Sequence, residues 1–216
     1  MKKMKKILSA LAILTMSSTA QAQDASKEGW FVRTGPLGVL FDSKADISVG
    51  GGVIPGASAD TKDNLTLGFD VGYRFDNNVS LMLTGGIPPK TTLTGTGPLG
   101  GVTLGKTYYA PAVLAAQYHF TNFGPRFQPY VGAGVNYTLF FGTSDGAVAD
   151  LKVNNAFAPV LQAGFEYDID SKWGVYMDVK KIFLSTTATG TVGGNPARAE
   201  VTANPTLLSA GIVYRF

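Results

Sequence analysis

The fold is most evident from the last twelve residues of the sequence, Pro205-Thr-Leu-Leu-Ser-Ala-Gly-Ile-Val-Tyr-Arg-Phe216. Its alternate positions form one apolar face, made of Leu208, Ala210, Ile212, Tyr214 and Phe216. The other face is small or polar. Because side chains of a strand alternate between two faces, this pattern predicts a strand with lipid on one side and a polar lumen on the other. In lipid every backbone donor needs a partner, so such strands occur in closed barrels.

The opposite end of the chain has the pattern of a secretory signal peptide, residues 1–22. Four lysines precede the apolar run Ile7–Met16, which is too short to span a bilayer, and Ala20-Gln-Ala22 is a small-residue cleavage pattern. Cleavage removes four of 18 basic residues and none of the 15 acidic residues, so the charge becomes 14 minus 15, or −1. Nucleic acid is therefore excluded as a partner on electrostatic grounds.

The remaining residues, 23–216, are predicted to form one domain, an all-β, eight-stranded antiparallel transmembrane β-barrel. Candidate strands of roughly ten residues, the length that a tilted membrane strand needs, recur along this region. They are residues 30–41, 64–75, 79–88, 107–120, 127–141, 155–168, 172–184 and 205–216.

The connections between these strands alternate between short turns and long loops. The connections 76–78, 121–126 and 169–171 are short, whereas 42–63, 89–106, 142–154 and 185–204 are long. Bacterial outer-membrane barrels have short periplasmic turns and long external loops, so the pattern indicates the cell outer membrane and its lipid bilayer. The alternative is a soluble eight-stranded carrier barrel, whose apolar face would point inward.

Strand parity sorts the inward-facing residues into two levels. The lower level is predicted to be a charge network that pairs and closes the base, because unpaired buried charges are too costly to keep: Arg33, Asp70, Arg74, Glu166, Asp178, Lys180 and Arg215. The upper level predicts an apolar well that binds small hydrophobic molecules: Leu37, Val39, Met82, Tyr109, Val113, Phe140, Val160, Ile182, Leu184 and Leu207. We expect a charge placed at Val113 to stay hydrated there.

Three prolines lie where the third and fourth strands should face each other. Pro88 and Pro89 end the third strand, and Pro111 lies in the upper part of the fourth. Proline has no N–H to donate to a ladder, so we expect the two strands to part at this height. The hypothesis is a lateral opening through which a solute leaves the well. The alternative is that both strands have already ended above the membrane.

Two other functions are compatible with a membrane barrel. His119 is the only histidine, and a lipid-modifying enzyme would need a nucleophile and a base within hydrogen-bond reach. A residue at the periplasmic end is far from outer-leaflet lipid, so we predict no catalytic residues. A structural or stress-related barrel without transport is the second alternative. The sequence predicts no metal site and no cofactor.

The stretch Phe127-Gln-Pro-Tyr-Val-Gly-Ala-Gly-Val-Asn-Tyr-Thr-Leu-Phe-Phe141 resembles the signature strand of the OmpW family of small outer-membrane proteins. Similar correspondences occur at Asp76-Asn-Asn-Val, at Ala110-Pro-Ala-Val-Leu-Ala-Ala-Gln-Tyr and at Gly-Ile-Val-Tyr-Arg-Phe216. The resemblance implies an eight-stranded barrel with a narrow hydrophobic channel for small hydrophobic molecules. We also expect the barrel-assembly machinery to be a partner, through the C-terminal strand ending in Phe216. The chain departs from the family at two places: Pro88-Pro89-Lys90 lacks the aromatic and basic pair often found there, and Lys180-Lys181 stands where relatives tend to carry aromatic residues.

Overall fold

The computed structural model describes residues 27–76 and 78–216, so the predicted signal peptide lies outside the described residues. Most of the described chain is strand, with one 3-10 turn at Gly97–Leu99. The strands are β1 (Gly29–Leu40), β2 (Lys44–Val49), β3 (Gly52–Val53), β4 (Ser58–Thr61), β5 (Asn64–Arg74), β6 (Val79–Gly86), β7 (Lys90–Thr96), β8 (Thr103–His119), β9 (Phe127–Asp145), β10 (Ala149–Val153), β11 (Ala156–Asp168), β12 (Trp173–Ile182), β13 (Ser185–Val192), β14 (Asn195–Thr202) and β15 (Thr206–Arg215).

Eight of these strands close into a barrel. The hydrogen-bonded order is β8-β6-β5-β1-β15-β12-β11-β9, and β9 pairs again with β8. All neighbours are antiparallel. Each of the eight predicted segments contributes one barrel strand, so the predicted fold class is confirmed.

The outer face of the barrel is apolar. On β5, Leu67, Phe69 and Val71 are exposed, whereas the intervening Asp70 is buried. The apolar side chains therefore point away from the lumen, which excludes the soluble carrier barrel. Within residues 27–76 and 78–216, no helix is long and apolar enough to cross a membrane.

The seam between the first and last barrel strands depends on glycine. A Cβ atom on Gly35 would lie 2.0 Å from the carbonyl oxygen of Ala210, and one on Gly211 would lie 2.0 Å from that of Thr34. The obstacles are backbone atoms, which cannot rotate away. Glycine at both positions therefore lets β1 and β15 approach closely enough to close the barrel.

The four long connections contain strands, although the sequence pattern indicated loops. A second sheet has the order β10-β13-β14-β2-β3, and β4 pairs with β7, which extends along the upper part of β8. These strands continue the barrel wall beyond the apolar belt. Two of the three short turns at the other end are capped in the same way: the Asp170 carboxylate accepts 2.7 Å bonds from the N–H groups of Lys172 and Trp173, and the Asp76 carboxylate accepts them from Asn78 and Val79. The bonds from Trp173 and Lys172 lower the pKa of Asp170.

Candidate functional site: a charged base beneath an apolar passage

Glu166 is the centre of the charged base. Its side chain is buried, and one carboxylate oxygen forms an ion pair with Arg33 while the other faces Arg74 at 3.5 Å and pairs with Arg215. Arg33 lies opposite Asp70 across the β1–β5 ladder. Its guanidinium also lies 5.1 to 5.2 Å from the ring centres of Phe31, Tyr130 and Tyr176. Three arginines therefore share one carboxylate across the lumen.

Asp178 is a second buried carboxylate, one level above. Its Oδ1 atom binds Lys180 Nζ at 2.5 Å, and its Oδ2 atom accepts bonds from Gln162 and, at 2.7 Å, from the Tyr130 hydroxyl. The Tyr130 hydroxyl in turn accepts a 3.0 Å bond from Arg33. Tyr130 thereby joins the two carboxylate centres into one network that crosses the barrel.

Asp168 completes the network at the mouth beside the short turns. It lies 2.7 Å from Arg215 and forms an ion pair with Lys27, which precedes β1. The lower lumen holds four basic and four acidic side chains that face one another. The basic residues are the predicted Arg33, Arg74, Lys180 and Arg215, and the acidic residues are Asp70, Glu166, Asp168 and Asp178. Glu166, Asp168 and Asp178 each form an ion pair with one of these basic residues, and Asp70 lies opposite Arg33 in the ladder, so each buried carboxylate has a basic residue beside it.

His119 belongs to a neighbouring hydrogen-bonded cluster. Its ring contacts Arg74 through Nδ1 at 2.7 Å and Ser80 Oγ through Nε2 at 3.0 Å. Arg74 has only donors, and its Nη2 atom also lies 3.0 Å from Nε2. The Ser80 hydroxyl donates its proton to Gln117 Oε1 at 3.0 Å, and not to the ring. This direction of donation differs from that of a serine activated by a histidine base, and the ring has an arginine where a catalytic dyad has a carboxylate.

The predicted well residues form a packed cluster. Leu37, Val39, Tyr109, Val113, Val160, Ile182, Leu184 and Leu207 all belong to it, and Phe140 packs against it. Met82 instead packs with Phe31 and Val213, nearer the base. Val113 is 0% exposed. Closely packed side chains surround this position, so we expect a charge at Val113 to be buried there, and not hydrated as the sequence indicated.

Two apolar cavities lie above the cluster, between the upper strands. The smaller, of about 40 Å³, is bordered by the cluster residues Tyr109 and Phe140, and by Phe41, whose ring meets that of Tyr109 edge to face at 5.4 Å. The larger, of about 120 Å³, is lined by aliphatic side chains that include Ile47, Ile54, Leu93, Leu99, Leu104, Leu151 and Val201. Leu93, Ala188 and Val201 border both cavities. The open apolar space thus lies higher than the sequence indicated, in the part of the wall built from the long connections.

The ladder between β6 and β8 is interrupted at the height of the prolines. The last pair below the interruption is Thr84 with Val113, and pairing resumes between Lys90 on β7 and Tyr108. Pro88 and Pro89 lie on one side of this interval. Pro111 lies on the other side, where it pairs with Thr138 of β9. The side chain of Leu37, which belongs to the apolar cluster, lies directly behind Gly86.

A sequence model of the OmpW family matches residues 27–216. The chain belongs to the OmpW family.

Several known proteins resemble this chain in sequence and in fold. The dibenzothiophene metabolism operon protein PahQ of Pseudomonas aeruginosa is 39% identical, over 89% of this chain and 90% of its own length. The outer membrane protein AlkL of Ectopseudomonas oleovorans is 34% identical, over 79% of this chain and 74% of its own length. The crystal structure of OprG from Pseudomonas aeruginosa superposes with a TM-score of 0.81 at 25% identity, covering 88% of this chain and 97% of OprG. The chain is therefore an outer-membrane barrel.

Some functional residues of this OmpW-family barrel were missed by sequence reasoning. Tyr130, Tyr176 and Gln162 enter the charged base, and strand parity alone would have placed all three in the lumen. Lys180 and Lys181 lie on opposite faces of β12. Lys180 forms an ion pair with Asp178 in the lumen, whereas Lys181 lies on the outer side and donates a hydrogen bond to the carbonyl of Asn204 at 2.7 Å. Within the part of the chain that the structure describes, no group of acidic or histidine residues is arranged to hold a metal ion.

Proposed function

We propose that this protein carries small hydrophobic compounds passively from the cell exterior into the outer membrane, without catalysis and without a cofactor. The compound enters the larger cavity, moves through the smaller cavity to the apolar cluster, and leaves sideways between β6 and β8. The observation that carries the proposal is the continuity of apolar surface from the outer cavity, through Tyr109, to the interrupted ladder.

The lateral route is favoured by the contrast between the two ends of the lumen. Below the cluster, a hydrophobic compound would have to break the ion pairs of Glu166 and Asp178, which leaves buried charges without partners. At the height of Pro111 it faces Gly85, Gly86 and Ala112 instead, where strand pairing is interrupted. A sideways exit therefore costs less than passage through the base.

The names of relatives agree with this choice of solute. PahQ and DoxH, the latter from Pseudomonas sp. (strain C18), are both named for a dibenzothiophene metabolism operon, and dibenzothiophene is an apolar polycyclic compound. An aliphatic cavity suits such a solute, because the solute displaces no water from polar groups of the protein when it binds. We propose the barrel-assembly machinery as the partner that inserts the chain, through the strand ending in Phe216.

The two alternatives predict different behaviour. A structural or stress-related barrel would give vesicles the same uptake of hydrophobic compounds as vesicles without the protein. A lipid-modifying enzyme would need an accessible nucleophile, and Ser80 is 0% exposed beside His119. The bonding of Ser80 and His119 supports a structural role for this pair.

The test is uptake of naphthalene by proteoliposomes whose outer leaflet is lipopolysaccharide. We expect uptake to be faster than in protein-free vesicles, together with a low ion conductance in planar bilayers. Uptake equal to that of protein-free vesicles would support the structural alternative. A large and stable ion conductance would show that the base is open.

A further inference from the structure

Two buried polar side chains border the inner side of the interruption. Thr84 of β6 and Asn136 of β9 both lie directly opposite Val113 of β8, one on each side. All three point into the lumen, and Thr84 is 4% exposed while Asn136 is 0% exposed. Opposed residues of an antiparallel pair have Cβ atoms roughly 5 Å apart, so Thr84 and Asn136 flank Val113 closely.

Neither side chain has its hydrogen-bonding capacity satisfied. Among the residues that the structure describes, Thr84 Oγ1 and Asn136 Oδ1 have no partner. The Nδ2 atom of the Asn136 amide donates a hydrogen bond to the Thr138 hydroxyl at 2.7 Å. Thr138 can engage only one end of that amide, whichever way the amide is turned, so the other end stays free.

Other buried threonines nearby behave differently. Thr91 donates its hydroxyl to the carbonyl of Lys62 at 2.9 Å, and Thr107 donates to that of Tyr108 at 3.0 Å. Buried polar groups are normally bonded in this way, because leaving one without a partner is costly. Among the residues that the structure describes, the free groups along this stretch are those of Thr84 and Asn136, in the row that adjoins the interrupted ladder, and the hydroxyl of Tyr109 higher up.

We infer that Thr84 and Asn136 form a recognition site for a hydroxyl group of the solute, so that the lateral route favours alcohols and phenols over pure hydrocarbons. This inference rests on the proposed function. A hydroxyl both donates and accepts, so it can bond the Thr84 hydroxyl and either end of the Asn136 amide. Asn136 lies on the far side of Val113 from the opening and Thr84 lies at its edge. A moving solute therefore meets Asn136 first and Thr84 second.

Ser43 and Tyr109 also have a buried hydroxyl without a partner in the described part of the chain. Ser43 borders an open, acidic surface depression with Asp42, Asp60 and Asp63, where an apolar solute gains nothing. Tyr109 pairs with Phe140 four positions above Val113, outside the row of Thr84 and Asn136. Thr84 and Asn136 are therefore the pair that a solute meets beside the opening.

The test compares 1-naphthol with naphthalene, which differ by one hydroxyl. Both are offered to proteoliposomes with a lipopolysaccharide outer leaflet, and the ratio of protein-dependent uptake rates is measured. We expect 1-naphthol to be preferred, and Thr84→Val and Asn136→Leu each to reduce the ratio roughly threefold to tenfold, the effect of one hydrogen bond. Thr91→Val is the matched control, because it deletes a hydroxyl that is already bonded, and it should leave the ratio unchanged.

A second measurement is independent of transport. In nanodiscs, the side-chain amide NMR signals of Asn136 should shift on addition of 1-naphthol and not of naphthalene. An unchanged ratio in folded Thr84→Val and Asn136→Leu proteins, or an equal change in Thr91→Val, would overturn the inference. Naphthalene uptake without preference for 1-naphthol overturns the inference and leaves the proposed function standing. Absence of uptake of both compounds overturns the proposed function.

Discussion

The backbone N–H of Tyr109 donates a hydrogen bond to the carbonyl oxygen of Pro89, at 3.3 Å. This bond marks the upper end of the interruption, and the Thr84–Val113 pair marks its lower end. The opening is therefore a short window in an otherwise paired wall. The ring of Tyr109 borders the smaller cavity, so one residue adjoins both the passage and the window.

Closing the window with a disulfide should stop lateral exit. Gly85 and Ala112 stand one position above the last pair, and a Cβ built on Gly85 meets no atom within 4 Å. A Gly85→Cys, Ala112→Cys protein has no native cysteine to compete, since the sequence contains none. We expect oxidation to lower naphthalene uptake to the protein-free rate, and a reductant to restore it.

The matched control for this disulfide is Leu83→Cys with Leu114→Cys. These residues form a pair in the continuous ladder just below the window. Their disulfide should leave uptake unchanged in both redox states. Unaltered uptake by the fully oxidised Gly85→Cys, Ala112→Cys protein would rule out the window as the exit.

Removing the central carboxylate of the base should destabilise the barrel. Glu166→Ala leaves the Arg33, Arg74 and Arg215 guanidiniums without their shared partner, and loss of one side of a buried ion pair costs about 3–5 kcal/mol. Urea unfolding in micelles measures the loss. Glu200→Ala is the control, because it breaks an ion pair with Arg198 that is exposed to solvent, and it should leave the unfolding midpoint unchanged. Equal midpoints for all three proteins would contradict the role of Glu166.

A charge in the outer passage should block hydrophobic solutes without unfolding the barrel. Val201 borders both cavities and is half-buried, so Val201→Asp can remain hydrated. A solute must then strip water from the carboxylate, and uptake of naphthalene should fall at least roughly tenfold. Val53→Asp, at a position 70% exposed outside the cavities, should have no effect. Normal uptake by a folded Val201→Asp protein would remove the cavities from the route.

Val113→Asp should behave differently from Val201→Asp. Val113 is 0% exposed within the packed cluster, so the new carboxylate is buried without a partner. We expect a loss of folding stability, read from urea unfolding, and not a selective loss of uptake. A Val113→Asp barrel as stable as the unmutated protein would show that water reaches this level of the lumen.

Adding one methyl group at the seam should interfere with barrel closure. Gly211→Ala places a Cβ 2.0 Å from the carbonyl oxygen of Thr34, a contact that only a backbone shift can relieve. We expect a lower yield of folded, heat-resistant barrel on gel electrophoresis. Gly38→Ala, on the same seam, meets nothing closer than 3.7 Å and should fold normally. Equal yields for both variants would mean that the seam can widen at little cost.

The barrel was predictable from sequence because its signal is local. Period-two alternation and the spacing of short turns identify each strand, and parity places Arg33, Glu166 and Arg215 in the lumen. The height of the open space was not predictable. Leu37 and Val113 have the same apolar character whether they line a void or fill one, and only three-dimensional packing distinguishes the two cases.

The strands above the membrane were missed for a different reason. Residues 185–192 and 195–202 are rich in Thr, Gly and Ala, and this composition also suits loops. They become strands because partners from distant connections complete their ladders: β14 pairs with β2, about 150 residues away in sequence. No window of the sequence shorter than most of the chain contains both partners.

The sheet order β10-β13-β14-β2-β3 draws on three separate connections of the chain. None of the three can be exchanged alone, because its neighbours would lose their hydrogen-bonding edge. We therefore expect a chimaera that receives one external segment from a relative to keep its membrane-embedded part but to lose the shape of its entrance, which is the second sheet around the larger cavity. A chimaera that receives all three segments together should keep both. The entrance is inherited as one unit, although the chain encodes it in pieces.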